Sequence, residues 1–288
     1  MSQRLPTYFI SHGGGPWPWM PEMAPAMQAL AESLADIPQQ LGQTPKAVLM
    51  VTAHWEGRAF TLGSNPAPGM VYDYGGFPPH TYEIVYPAPG APALVERVQG
   101  LLEAAGLPVA QDGQRGYDHG TFVPLAVMFP DADVPVLQMS LRAGLDPAEH
   151  LALGRALAPL RDEGVLIVGS GLSYHNLRAF GRVGQAPSAA FDAWLQAAMA
   201  AAPAARTQAL LNWEQAPAAR LCHPREEHLL PLMVAVGAAE ADTAVCVYHE
   251  EAIFGGVTAS SFRFGQAGAE AVSYTHLRAH ETRHDLVC

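Results

Sequence analysis

Five histidines stand out by the sequence around them. His12 follows the apolar run "YFIS" and precedes "GGGPW"; His54 ends "AVLMVTA"; His175 comes shortly after "VLIVGSGLS". In each case an apolar, strand-like stretch leads into an imidazole. His228, in "EEHLLPLMVAVG", opens an apolar helical pattern, and His119, in "YDHGTFVPL", lies at a loop-to-helix junction. Imidazole is a ligand for iron, zinc, copper and nickel. A mostly histidine site with open positions suits catalysis better than a closed structural site. In open α/β sheets, ligands collect outside the carboxyl ends of the strands, so His12, His54 and His175, each just past such an end, are expected to converge. His223 is a weaker ligand candidate. His80, His150 and His249 read as a surface, a helix-face and a strand residue.

The elements that must position these residues alternate. Strands are expected at 6–11, 47–53, 59–63, 134–141, 164–170, 243–249 and 258–264, mostly continuous apolar runs that imply a sheet covered on both faces. Helical patterns occupy 21–35, 91–105, 120–128, 147–162, 188–201 and 226–237. The expected fold is α/β: a single-domain, three-layer sandwich with a mixed, mostly parallel central sheet and the active site at the strand carboxyl ends. Residues 64–92 break the alternation with a stretch rich in proline, glycine and tyrosine, and irregular loops of that length are usually functional. Tyr72, Tyr74, Phe77, Tyr82 and Tyr86 either offer flat surfaces to an aromatic ligand or pin the loop to the body. The glycines after His12 are expected to let the backbone pass close to a metal and substrate without a β-carbon in the way.

Composition narrows the classes. Of 288 residues, 49% are hydrophobic and only 15% charged, which excludes global disorder, and the net charge of −11 argues against a nucleic-acid partner. No run of 18 apolar residues or signal-peptide pattern is present, so no membrane is expected. Three cysteines without CxxC spacing fit a reducing cytoplasm. The ending "AVSYTHLRAHETRHDLVC" resembles translated adapter or vector sequence, so 1–265 is read as the catalytic domain and 266–288 as a non-native, disordered tail. On that reading His276, His280 and His284 form a false metal site. Other chemistries lack their marks: "HGGGP" is like a lipase oxyanion loop, but no G-x-S-x-G elbow accompanies it. No H-E-x-x-H, G-x-G-x-x-G or P-loop lysine occurs.

Six segments in register, "SHGGGPW", "TAHWE", "YDYGGFP…YPAPGAP", "YDHGTFVPL", "GSGLSYHNLR" and "EEHLLPL", resemble the LigB-type class III extradiol ring-cleaving dioxygenases. The likeness is greatest to the bacterial branch of 4,5-DOPA dioxygenases and runs over about residues 6–265. It implies a non-haem metal enzyme that opens a catechol (DOPA-like) ring beside its two hydroxyls with O₂. His12, His54 and His228 would hold the metal, with His175 a fourth ligand or the acid/base. His119 would bind substrate or oxygen, and Tyr72, Tyr74 and Phe77 would line the substrate. Fe(II) is expected for catalysis, and Zn(II) suits an all-histidine set. Many class III enzymes use two histidines and a carboxylate, whereas Glu226 and Glu227 are expected to face away if a helix begins there. The alternatives are a metal-binding interaction protein of the same fold and a zinc hydrolase. A small catechol and O₂ are the expected partners of a monomer or small homo-oligomer.

Overall fold

The structure is a computed structural model that describes residues 3–268. His276, His280, His284 and most of the suspected tail lie outside the described residues. The strands are β1 (Thr7–Ser11), β2 (Ala47–Gly57), β3 (Phe60–Gly63), β4 (Val109–Asp112), β5 (Val136–Arg142), β6 (Val165–Gly171), β7 (Ala244–Ile253) and β8 (Val257–Phe264). The helices are α1 (Gln28–Leu41), α2 (Pro92–Ala104), α3 (His119–Met128), α4 (Pro147–Leu157), α5 (Arg182–Ala200), α6 (Pro203–Leu211), α7 (Ala219–Cys222) and α8 (Leu230–Ala238). One eight-stranded sheet has the order β4-β3-β5-β2-β6-β1-β8-β7. β1, β2, β5 and β6 run parallel to their neighbours among themselves, as do β3 and β4; β8 and β7 add an antiparallel flank, and β3 meets β5 antiparallel.

The sheet is covered on both faces, as its continuous apolar strands require. β1 and β6 are buried at every position. Alternate residues of β1 reach opposite layers: the Thr7 hydroxyl donates to the Ala235 carbonyl of α8, and the Tyr8 hydroxyl to Gln40 of α1. α8 lies on β6, β1 and β2 with α4 behind it, while α1 and α3 pack together on the other face. Glycine makes the first of these approaches possible. A β-carbon at Gly154 of α4 would fall 2.7 Å from the Ala238 nitrogen and 2.8 Å from the Gly237 Cα of α8.

All seven expected strands are present. β4 was not expected; at four residues and half exposed, it is an edge strand with almost no apolar signal. α6 and α7 were not expected either. The helix sought at 21–35 starts only at Gln28, after turns and a short 3-10 segment. Two differences bear on chemistry. β2 continues to Gly57, so His54 lies inside a strand rather than past its end. Pairing with β6 stops at Thr52, and five residue steps of β2 (51 to 56) span what two steps of β5 (139 to 141) span. That irregularity frees His54 from the ladder and re-aims its side chain, a common use of bulges beside active sites. Second, α8 starts at Leu230, so His228 sits in the preceding turn.

Candidate metal centre

The end of β6 gathers two of the histidines. The Gly171 carbonyl accepts the His12 amide (3.2 Å), and the next amide, of Leu172, donates to the His228 carbonyl (3.1 Å). Gly171 has no β-carbon, and one there would press on the His228 carbonyl group, 3.1 Å from its carbon. His175 follows four residues after β6, anchored by its amide to the Cys222 carbonyl at 2.9 Å. His119 is the first residue of α3, and Gly120 lets that helix approach β2, since a β-carbon would stand 2.9 Å from the His54 ring. The glycines after His12 also serve the packing around them. Gly13 and Gly15 have positive φ, and β-carbons there would press on the Trp17 indole and come within 2.5 Å of the Phe77 ring. They make room for aromatic side chains. Trp17 then closes the turn by donating its indole N–H to the His12 carbonyl (2.9 Å).

Three imidazoles meet through the same atom. The Nε2 of His54 lies 3.2 Å from Nε2 of His12 and 3.2 Å from Nε2 of His228. Nitrogens bound at ~2.0–2.1 Å around a tetrahedral ion stand about 3.3 Å apart, so the spacing fits ligands of one ion. Proximity of ligand atoms alone divides the residues differently, into His12, His54 and His119, and His175, Glu227 and His228, each set within 4.8 Å. The Nε2 trio is the better ligand set, because its nitrogens stand at the spacing of ligands around one ion, with His119 and His175 beside it. The His175 ring stacks on that of His228, centroids 3.3 Å apart and 16° from parallel.

Electrostatics supports metal binding. Burial, reinforced by neighbouring imidazoles, depresses the pKa of His12 and His228 well below the usual histidine value and that of His54 to about 3. All three are therefore neutral at neutral pH, with lone pairs to give. Two carboxylates decide which nitrogen gives them. Asp73 stands 3.4 Å from His54 Nδ1 and 2.6 Å from His119 Nδ1; Glu227 stands 3.0 Å from Nδ1 of both His175 and His228. Burial pushes both carboxyls up, but hydrogen bonds and charge from the histidines outweigh it and leave each below its ordinary value. A carboxylate facing Nδ1 draws the imidazole proton to that nitrogen, which leaves the Nε2 atoms of His54 and His228 facing each other lone pair to lone pair. That arrangement repels unless a cation lies between, so the donor set fits a metal.

Glu227 corrects an expectation. It does not face away from the site: because the helix starts later, the turn carries its carboxylate back under the two rings. Glu226 does turn outward, to Arg220 at 2.6 Å. Pro231 was the signal available, since proline favours the first helical turn and places the start near Leu230. Asp73 was also missed; an acid between two tyrosines in an irregular loop carries no periodic mark. His223 is buried with Nε2 on the Ser173 carbonyl (2.8 Å), outside the cluster. His150 lies on α4 as expected, a buried histidine satisfied between the Asp146 carbonyl and the Arg142 amide. His80 is exposed, and His249 lies in β7.

The aromatic loop follows both readings. The hydroxyls of Tyr72, Tyr74 and Tyr86 donate to the carbonyls of Ile84, Thr81 and Phe129, pinning the loop. The Tyr74 ring nevertheless meets His119 edge-on at 5.7 Å, with Phe77 packed against it at 5.5 Å and Tyr72 further back against Phe122. Cavities of about 370 and 340 Å³ lie elsewhere, beside His249 and beside Arg161. Near the first, Ser260 gives its hydroxyl proton to Asp192 (2.6 Å) and is fully buried, so no hydrolytic triad forms there. Ser170 of "GSG" is likewise buried and donates to the Gly120 carbonyl.

The chain matches the family described as the catalytic LigB subunit of aromatic ring-opening dioxygenase over residues 6–265. It is 38% identical over 285 residues to the dioxygenase tasH of Hapsidospora irregularis, covering 92% of this chain and 87% of that protein. A 4,5-DOPA dioxygenase extradiol of Beta vulgaris is 39% identical over 263 residues, 90% of this chain and 96% of its own length. The crystal structure of an uncharacterized Escherichia coli K12 protein matches with a TM-score of 0.72 at 29% identity, covering 91% of this chain and 100% of the other.

Proposed function

The chain belongs to the family of the catalytic LigB subunit of aromatic ring-opening dioxygenases, and on that footing we propose how this extradiol ring-cleaving dioxygenase works and on what. His12, His54 and His228 hold the metal through Nε2. The observation that carries this is the pair of 3.2 Å Nε2 separations among buried, neutral imidazoles. Fe(II) is the ion for catalysis, with Zn(II) able to occupy the same nitrogens. When bound, the ion supplies the charge that favours the catecholate and the meeting point for catechol electrons and O₂.

The remaining steps fall to side chains. His175 gives Nδ1–H to Glu227, which leaves Nε2 free to take the second phenolic proton and return one as the ring opens. His119, held at Nδ1 by Asp73, turns Nε2 toward a substrate oxygen or O₂. The Tyr74 and Phe77 rings flank the catechol face and help exclude water, with Tyr72 backing them. The substrate is a DOPA-like catechol, a choice supported by the name of the beet relative, and the product a hydroxymuconate semialdehyde type of compound.

No helix among the described residues is long and apolar enough to cross a membrane. The acidic charge and the two free cysteines among the described residues, Cys222 and Cys246, favour a cytoplasmic monomer or small homo-oligomer. The test is anaerobic reconstitution with Fe(II), then O₂ uptake and product absorbance against a panel of catechols that includes DOPA. O₂ consumption with a coloured semialdehyde product is expected. No uptake with any catechol would remove the ring-opening reading, and uptake with simple catechols but not DOPA would remove only the substrate.

A further inference from the structure

Asp73 belongs to the aromatic loop, between Tyr72 and Tyr74, yet its carboxylate lies between two histidines of the centre. Oδ1 accepts from His119 twice, from Nδ1–H at 2.6 Å and from the backbone amide at 3.1 Å. Oδ2 faces His54 Nδ1 at 3.4 Å. The two rings stand 4.0 Å apart between centroids, so one acid serves both. Its side chain is only 21% exposed, which shelters these contacts from competing water.

We propose that Asp73 is a positioning residue that fixes the proton of His54 on Nδ1 and thereby ties the seating of the 64–92 loop to the metal centre. The inference rests on His54 being a metal ligand through Nε2. An imidazole can present a lone pair at Nε2 only when its proton sits on Nδ1, and a carboxylate at Nδ1 selects that form. The same carboxylate holds the first turn of α3 through the His119 amide. The loop, the substrate-facing histidine and the metal-facing histidine are thus joined at one side chain.

Asparagine in place of Asp73 separates this role from mere packing. The amide keeps the shape but has one acceptor, and His119 offers two donors to it. The NH₂ group is then left against His54 Nδ1, where it favours the Nε2–H form that cannot bind a metal. In Asp73→Asn the Zn(II) affinity, read by competition with a chromophoric chelator, is expected to fall about 10–100-fold, the usual scale for losing such a partner. The ¹⁵N imidazole spectrum should show the His54 proton moved from Nδ1 to Nε2, which loss of charge or of packing alone would not produce. His119→Ala, which removes the other partner of the carboxylate, should change Zn(II) affinity by less than about threefold.

Zinc affinity within threefold of wild type in Asp73→Asn, alongside loss of zinc in His54→Ala, overturns the positioning role and leaves the ligand intact. Full zinc binding by His54→Ala instead overturns the ligand assignment and the inference with it. If Asp73→Asn does not fold, the unmodified protein decides: a zinc-loaded His54 without a proton on Nδ1 refutes the proposal.

Discussion

The close approach of the α8 end to β6 gives a way to move the proposed ligand His228 without touching its side chain. In Gly171→Ala the new β-carbon would stand 3.1 Å from the His228 carbonyl carbon, and closer to its oxygen. The oxygen is the tighter contact, and carbon and oxygen atoms in contact keep ~3.3 Å or more, so the His228 backbone must retreat by about one ångström. A metal site tolerates only ~0.2 Å in ligand distance, so this shift should show in metal affinity. Overpacking of this kind also costs about 1–3 kcal/mol, which lowers the unfolding midpoint by roughly 2–10 °C in a domain of this size.

A control is needed to separate the two effects, and the fold supplies one. Gly154→Ala drives a β-carbon to 2.7 Å from the Ala238 nitrogen and 2.8 Å from the Gly237 Cα, at the far end of α8 from His228. Both variants should melt earlier by similar amounts in the metal-free protein. Only Gly171→Ala should bind Zn(II) more weakly, by tenfold or more in chelator competition, and its metal-dependent rise in melting temperature should shrink accordingly. Wild-type zinc affinity in Gly171→Ala would mean that the turn bearing His228 absorbs the displacement, and the argument that β6 places this ligand would be wrong. Equal zinc loss in Gly154→Ala would mean that general softening of α8, not displacement, controls the site.

Three further outcomes are expected. His175→Gln should keep most of its iron and still perturb the absorption of a bound catechol, while ring opening falls by roughly two to four orders of magnitude; complete metal loss would make His175 a primary ligand and shift the proton role to His119. A chain ending at Gly268 should keep its melting temperature and metal content, since it retains the hydrogen bond from the Gly268 amide to the Gln40 carbonyl; lost metal or lost soluble protein would show the tail to be native structure. His249 is held above its ordinary pKa of 6.5 first by its hydrogen bond to Asp192, so its stabilising effect is complete below about pH 6.5 and fades as pH rises through the higher folded value. The melting difference between wild type and His249→Gln should therefore be larger at pH 5.5 than at pH 9, and a constant difference would exclude the ion pair.

The legible parts of this protein were those written locally. The runs "YFIS" and "VLIVGSG" are apolar at every position because both faces of the sheet are covered, and that signal survives in sequence. A histidine at the end of such a run inherits the position of the strand, which is why His12 could be placed without a structure. β4 and α6 left no such trace: one is a four-residue edge strand, the other a short helix after Pro203 whose apolar face is narrow.

The site departs from the sequence reading where tertiary contacts override the local pattern. His54 reaches the centre through slippage of β2 against β5, which depends on the partner strand and not on "TAHWE" itself. Glu227 enters because Pro231 delays the helix, so a residue that an earlier start would turn outward is instead folded under His175 and His228. Asp73 lies about twenty residues from His54 in the chain and about forty-five from His119, and only closure of the loop brings it to both. Four of the five histidines of the cluster, all but His12, are thus steered by two acids that carry no motif. The five rings are visible in the sequence because imidazole is rare and chemically distinctive. The carboxylates that choose which nitrogen each ring presents are ordinary residues, and their role exists only in the folded chain. Replacing a ring tests whether a metal binds; replacing an acid tests whether the ring was already prepared to receive it.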